Sequence, residues 1–525
     1  MTHLPLRFGV DADTPLPELA DLTPGGARWE QNAETVQTRH LDTSAHDLRR
    51  AGASLSRWST GSAAGWRLDL PARPTRDVPD RARSSASTEV PPTLAAAVLG
   101  VRRGLDLVPV ATVTVHRSVH RLLDAAGDLL LELADESVHT SSSTPDGALL
   151  AQWRRWVLAA APDSPGPVAA LTARLTATTG SRPETDSTDL EHAIGRLPSA
   201  DPDTDGGDRA VRAPPGGTAD CDTRKSAARK SSPGKRGTKP SEHFPDAGTV
   251  ILAYLREQDD ALIAGDLTMR EGPRGIHPTR VATRRLRSTL RIFAPFVDAD
   301  RAAAFDHELS WYAAVLGDVR DREVQRVRMR KLIDEIPDEL VLGPVAQSID
   351  AVLRSEEMLY RTRLAEVLDS ERYLDLLRES QRWSTMPPFA AGAAQDAHVL
   401  GKRVRKAAAK LVTHLEAGLR HGGGDEELHR ARKAGKRARY AAELAAPVLG
   451  ERGSALVSRY QEVQDVLGDH QDGVVACALI RRLAAGTVGK RKENGFTYGL
   501  LYAREQERAI EGRERADALF AKLRD

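Results

Sequence analysis

His277, Arg280, Arg284, Arg287 and Arg291 follow one another at steps of 3, 4, 3 and 4, a spacing that puts all five on one face of a helix. They lie in HPTRVATRRLRSTLRIF, His277 to Phe293, which adds Arg285 and contains no acid. Like charges at this spacing repel by a few tenths of a kcal/mol for each i,i+4 pair, and a face meant only for water relieves this with interspersed glutamates. This one does not. The chemistry such a stripe suits is the holding of an anion: guanidinium groups offer paired donors to phosphate oxygens and stay charged when crowded. Val281, Leu286, Leu290 and Phe293 fall on the remaining faces and can pack inward.

The pattern occurs twice. HRARKAGKRARY places His429, Arg432, Lys436 and Arg439 at steps of 3, 4 and 3, with Lys433 and Arg437 widening the stripe and again no acid. Downstream, LGDVRD (Leu316 to Asp321) is answered by LGDHQD (Leu467 to Asp472), 44 residues from histidine to final aspartate in the first copy and 43 in the second. Matching constellations at matching separation indicate a duplicated helical unit. A third acid-free cluster, GKRVRKAAAK, contributes Lys402, Arg403, Arg405, Lys406 and Lys410. Duplication with acids excluded favours a polyanion site over an idle solvated face. The two histidines suit either helix starts or phosphate. Asp318, Asp321, Asp469 and Asp472 suit pairing with the basic side chains or helix capping, with metal ligation a weaker option.

These helices need a scaffold, and 525 residues with 40% hydrophobic content suffice for two or three domains. The total of 75 basic and 74 acidic side chains is neutral, so the charge that matters is local. Pro198 to Pro245 is rich in Asp, Gly, Pro, Ser, Lys and Arg, and reads as a flexible linker over 199–244, acidic early and basic late. Before it, ASLSRWS, GWRLDLP and ATVTVHRSVHRLLD alternate as strands do, and DAAGDLLLELADESV supplies a turn at Ala-Ala-Gly. Helices are expected near Thr93–Arg103 and Val168–Thr178. The expectation for 1–198 is an α+β domain built on an antiparallel barrel or curved sheet. From 245 to 525 the pattern is helical, punctuated by Pro273, Pro295, Pro344, Pro387, Pro388, Gly422 to Gly424 and Gly450, so eight to ten helices are expected in an all-α bundle. Cys221 and Cys477 fit no ligand spacing or disulfide framework. No signal-peptide layout or apolar run of about 18 to 20 residues is present, so a soluble cytoplasmic protein is expected.

The H-x-x-R-x-x-x-R-x-x-R helix followed by LGD-x-x-D, found twice, resembles the CHAD family, the conserved histidine α-helical domain, over Asp246 to Asp525. That resemblance implies two helical bundles related by a pseudo-twofold, with basic helices lining a cleft for inorganic polyphosphate. The second copy departs in Lys436, where the first has Arg284, and in LGDHQD. The front half is similar, more loosely, to CYTH domains of the triphosphate tunnel class, through HLDT (His40 to Thr43), the strands around Trp58 and Trp66, and Leu107 to Leu123. Active members open with E-x-E-x-K for metal and phosphate, whereas this chain has HLPLR, with His3, Pro5 and Arg7. Asp69 stands at a lysine position, Arg155 and Val157 at an acid pair, and Asp189 at a second lysine position. Since metal-assisted hydrolysis needs clustered oxygen ligands, the expectation is a degenerate barrel with no catalytic residues, metal or cofactor. Arg57, Arg117, Glu132 and Asp135 are then remnants or structural pairs. The function expected is polyphosphate binding, at granules in one version, with no membrane partner. A triphosphatase is the alternative. Nucleic acid is disfavoured because the basic clusters lack interleaved aromatics.

Overall fold

The computed structural model describes residues 5–80, 89–144, 147–160, 165–180, 182, 246–420, 424–486 and 495–524. The expected linker, His3 and Asp189 lie outside the described residues. Eight strands, β1 (Leu6–Val10), β2 (Arg28–Asp42), β3 (Ser54–Ser59), β4 (Ala64–Asp69), β5 (Arg76–Pro79), β6 (Val108–Leu123), β7 (Leu129–Thr144) and β8 (Gly147–Ala160), form an antiparallel sheet in the order β1-β8-β7-β6-β2-β3-β4-β5. Three helices accompany them: α1 (Asp47–Arg50), α2 (Pro92–Ala97) and α3 (Pro165–Thr179). Helix α2 stops at Ala97, short of the expected Arg103; the chain continues in turns and passes through left-handed backbone at Arg103 (φ 51°) and Gly104 (φ 75°).

By compactness the chain falls into two units, one drawn from 1–37 and 111–243 and the other from 38–110 and 244–525. In the first, alternating residues of β1, β6, β7 and β8 bury Phe8, Leu122, Leu131, Leu133, Trp156 and Leu158 against Leu171 and Leu175 of α3. The Ala-Ala-Gly turn joins β6 to β7 as the sequence suggests, with Asp124 accepting from the amides of Ala126 (2.8 Å) and Asp128 (2.9 Å). Of the residues compared above with tunnel positions, Arg117, Glu132, Asp135 and Arg155 each have an ion-pair partner in the sheet. Arg117 pairs with Glu34, Glu132 with Arg121 (2.8 Å), Asp135 with Arg154 (2.6 Å) and Arg155 with Glu136 (2.8 Å). Arg7 stands opposite Val157 in the β1–β8 register.

The second unit holds nine further helices among the described residues: α4 (Ala247–Arg270), α5 (Ile276–Ile292), α6 (Ala299–Asp334), α7 (Val345–Leu368), α8 (Glu371–Thr385), α9 (Leu400–Leu419), α10 (Asp425–Leu449), α11 (Glu451–Ala485) and α12 (Gly495–Arg524). Residues 38–110 share its core. Leu41, Leu48, Leu55, Trp66, Leu68, Leu94, Val98 and Val101 belong to one apolar cluster with Ile251, Leu255, Leu262, Leu376 and Leu377. HLDT is a capping turn in this unit. The buried Asp42 carboxylate accepts from the amides of Thr43 (2.7 Å), Leu48 (2.8 Å) and Arg49 (3.0 Å), and the Thr43 hydroxyl donates to Asp47 (2.6 Å). Arg57 forms a buried pair with Asp80 at 2.9 Å, and Asp69 accepts from Thr75.

Arg103 is the polar bond of this core. Its guanidinium reaches Asp47 (3.2 Å) and Asp259 of α4 (3.3 Å), all three nearly inaccessible to water, and its carbonyl accepts from Arg378 of α8 (2.9 Å). Removing one member of a buried charged network leaves the others uncompensated, at a cost of about 3–5 kcal/mol. Arg103→Met therefore lowers the free energy of unfolding of the helical unit by that order, read as a lower urea midpoint at unchanged slope, and adding Asp47→Asn with Asp259→Asn recovers part of it. An unchanged midpoint in the single variant would contradict this role.

Candidate polyanion-binding groove

Helix α5 is amphipathic in the sense its spacing suggests. Ile276, Ala282, Leu286 and Leu290 are buried, and Thr279 and Thr283 join them because their hydroxyls donate to carbonyls four residues back (2.6 and 2.8 Å). Thr279 packs where Gly265 of α4 has no side chain; a Cβ there would lie 1.8 Å from the threonine oxygen. Helix α10 buries Leu428, Ala431, Ala434, Gly435 and Ala438 in the same way. The basic stripes of both helices then face outward over three adjoining cavities.

The first cavity, about 400 Å³, is lined by His277, Arg280, Val281 and Arg284 of α5, His429, Arg432 and Lys436 of α10, and Arg320, Asp321, Arg328, Gln471 and Asp472 among residues of α6 and α11. The second, about 440 Å³, shares Arg280, Arg284, His429, Arg432 and Lys436 and adds Arg287, Arg291, Lys433, Arg437 and Tyr440. The third, about 410 Å³, shares Arg291, Lys433 and Arg437 and continues to Arg403, Lys406, Lys410 and His414 of α9 and Arg430. Together they make one groove. Along α5 alone, His277 to Arg291 spans roughly 21 Å at 1.5 Å per residue.

The LGD-x-x-D motifs lie in the middle of α6 and α11, so their aspartates cap no helix, and neither histidine is an N-cap. Their leucines, Leu316 and Leu467, are core. Their glycines lie against arginines of the basic helices: a Cβ on Gly317 would crowd Arg280, 3.3 Å from Nη2, whereas one on Gly468 would sit in ordinary contact with Arg432, 3.9 Å from Nε and Nη2. Their final aspartates hold those same arginines, Asp321 on Arg280 at 2.7 Å and Asp472 on Arg432 at 3.5 Å. Asp469 pairs instead with Arg515 (3.2 Å). The residue before each final aspartate serves the histidine. Gln471 bonds His429 at 2.7 Å, and Arg320 stands close enough to His277 to disfavour its protonation.

Asp321 and Asp472, each already paired, are the carboxylates lining these cavities. Arg284 donates to the Tyr440 hydroxyl (2.9 Å), and the Nε–H groups of Arg284 and Arg432 find no hydrogen-bond acceptor among the described residues. Lys436 sits in the middle. Burial first, then Arg432, Arg284 and Arg280, push its ammonium down to about 7, with Asp472 opposing. His277 is lowered by burial, then Arg320, Arg284 and Arg280. His429 is lowered by burial and by Lys433, Arg432 and Lys436, against the bond from Gln471.

Three sequence candidates lie elsewhere. Arg285 and Arg439 both turn to Glu443 (3.0 Å each), which also accepts from Tyr254 (3.2 Å). Lys402 is exposed and, like Arg405, lines none of the three cavities. Val281 borders the groove rather than packing inward. Conversely Arg320 and Arg328 were not singled out by sequence, although Gly317, Asp321, Val324 and Arg328, at steps of 4, 3 and 4, mark the same face of α6. Arg328 is anchored by the fully buried Glu505 (2.5 Å). Among the described residues no group of three or more His, Cys, Asp or Glu is placed to hold a metal.

Residues 253–481 match the CHAD domain family. Over nearly its whole length the chain is 34% identical to "Uncharacterized protein Rv2226" of Mycobacterium tuberculosis, covering 98% of this chain and 95% of that protein. The chain belongs to the CHAD domain family. Solved structures similar to it include PptA from Streptomyces chartreusis (TM-score 0.45, 19% identity, 53% of this chain and 99% of that one). The CHAD domain from the plant Ricinus communis is another (TM-score 0.42, 22% identity, 55% and 96%). The N-terminal part has neighbours of the triphosphate tunnel type, among them the adenylyl cyclase-like HpAC1 from Hippeastrum, described by a dominant triphosphatase activity (TM-score 0.20, 11% identity, 36% and 93%). In this CHAD domain both copies of the motif converge on one groove.

Lys436 gives the ligand-free CHAD domain a testable strain. An unfolded lysine keeps its proton to about 10.4, so with a folded value near 7 unfolding takes up a proton between those limits. Stability falls as pH drops through that window, and the loss is complete below about 7. Lys436→Met removes the term. It raises Tm at pH 7 by ~2–4 °C, with the gain shrinking toward pH 10. A lower Tm for the variant at pH 7 would show that the lysine is there for packing.

Proposed function

We propose that this protein binds inorganic polyphosphate, without turnover, in the groove between α5 and α10. The observation that carries the reading is the groove's charge. Cations from four helices face one channel whose carboxylates are already committed to Arg280 and Arg432. A flexible chain of phosphates supplies acceptors at every step along such a channel, and guanidinium groups meet them in pairs. Tyr440, almost fully buried, is the one aromatic ring besides histidine among the lining residues, so the groove offers little for base stacking. In the sheet, the ion pairs of Arg117, Glu132 and Asp135 favour a structural over a catalytic part. No described helix is long and apolar enough to cross a membrane.

Because 38–110 completes the helical core, the full chain is the protein to test. Long-chain polyphosphate binding should weaken steeply with salt, log affinity falling by roughly 0.7 per phosphate contact for each decade. Arg284→Gln with Arg432→Gln and Lys436→Gln should flatten that slope by about 2 and cost at least tenfold in affinity at physiological salt, while DNA competes poorly. Incubation with triphosphate and Mg²⁺ or Mn²⁺ should release no phosphate. Full binding by the triple variant would remove the groove from the account, and metal-dependent release would make the protein a triphosphatase.

A further inference from the structure

The groove does not end where the duplicated helices end. Its third cavity leaves the α5–α10 cleft at Arg291, Lys433 and Arg437 and runs onto α9 over a floor of Ile292, Ala407 and Ala434. The α9 side chains facing it are Arg403, Lys406 and Lys410, at steps of 3 and 4. Arg403 is anchored, its Nε donating to the Ile292 carbonyl at 2.7 Å, which holds its guanidinium at the junction of α5 and α9. At the far end the lining residues His414 and Arg430 both pair with Glu427 (3.2 and 2.6 Å), which itself lines none of the three cavities. Asp306 lies at the near end, on Arg287 (3.1 Å) and Arg291 (2.6 Å).

The second copy has nothing equivalent to Arg291. Counting from the two histidines, its place is taken by Glu443, which draws Arg285 and Arg439 to itself. The cationic path is therefore one-sided. It continues past Arg291 to α9 and is turned away at Glu443. A small anion held between Arg284, Arg432 and Lys436 never reaches α9, since Lys406 and Lys410 share no cavity with those three. A long chain can follow the path.

We propose that α9 carries an extension subsite, centred on Lys406 and Lys410 with Lys433 and Arg437, that takes the distal part of a long anionic chain and makes the protein discriminate by chain length. This rests on the polyphosphate reading of the central cleft. Helix α9 also provides the control for net charge, because Lys402 and Arg405 are exposed on the same helix and line none of the three cavities.

The test compares full-length protein, Lys406→Gln/Lys410→Gln and Lys402→Gln/Arg405→Gln, each titrated with inorganic triphosphate and with long-chain polyphosphate across a salt series. Both changed proteins should keep the parent's Tm, since these side chains reach solvent. The expected result is a loss of about tenfold in long-chain affinity for Lys406→Gln/Lys410→Gln, and a salt slope flatter by roughly 1.4, with triphosphate affinity within about twofold. The Lys402→Gln/Arg405→Gln protein should match the parent with both ligands. Equal losses in the two double variants would reduce α9 to a general field and overturn the subsite, as would equal losses for short and long ligands. Undiminished long-chain binding by Lys406→Gln/Lys410→Gln would overturn it too, leaving the central cleft intact. Failure of the parent to bind either ligand would sink the underlying reading instead.

Discussion

Mutual repulsion of cations at the centre of the groove is the constraint around which the helical unit is arranged. Lys436 is buried there beside Arg432, Arg284 and Arg280, and burial first, then those cations, push its ammonium down to about 7. Charges of one sign at such distances are held together only if something else keeps the helices in place. Here that is the continuous apolar core, to which residues 38–110 contribute Leu41, Trp66, Leu68 and Val98. The arginines are steadied individually by single partners, Asp321, Asp472 and the Tyr440 hydroxyl. None of these partners is numerous enough to neutralise the groove. An arrangement that costs stability when empty and is relieved by a bound polyanion is what a binding site asks of its residues.

The LGD-x-x-D motif is the device that makes such crowding workable. In both copies leucine enters the core and the last aspartate fixes the direction of an arginine, and in the first copy Gly317 spares Arg280 a crowded Cβ. Duplication supplies two of these arginine seats. The copies then diverge where it matters for the path of a ligand, with Gln471 in place of Arg320, Lys436 in place of Arg284 and Glu443 in place of Arg291.

Much of this was legible in the sequence because helical periodicity reports directly which side chains share a face. The stripes of α5 and α10, the Ala-Ala-Gly hairpin and the number of helices all follow from local spacing. An acid-free window does not distinguish Arg285 and Arg439 from their neighbours; Glu443, four residues beyond Arg439, is the local signal that one arginine has a partner. The glycine of the first LGD was opaque, since the side chain it spares is an arginine from another helix. The membership of 38–110 in the helical core was opaque too. Alternation in β3 and β4 says that one face is buried and says nothing of what covers it. Long-range partners such as Arg103 and Asp259, 156 positions apart, leave no periodic trace.

The central claim, that the anion enters the crowded middle of the groove, is tested most directly by calorimetric titration of the full chain with long-chain polyphosphate at pH 8, in two buffers of different ionisation enthalpy. Lys436 is mostly neutral there before binding, given its value of about 7, and charged once phosphates replace its arginine neighbours as the dominant field. The account requires uptake of close to one proton per binding event, abolished in Lys436→Arg. Tight binding with no proton uptake would place the polyanion elsewhere on the protein and contradict it.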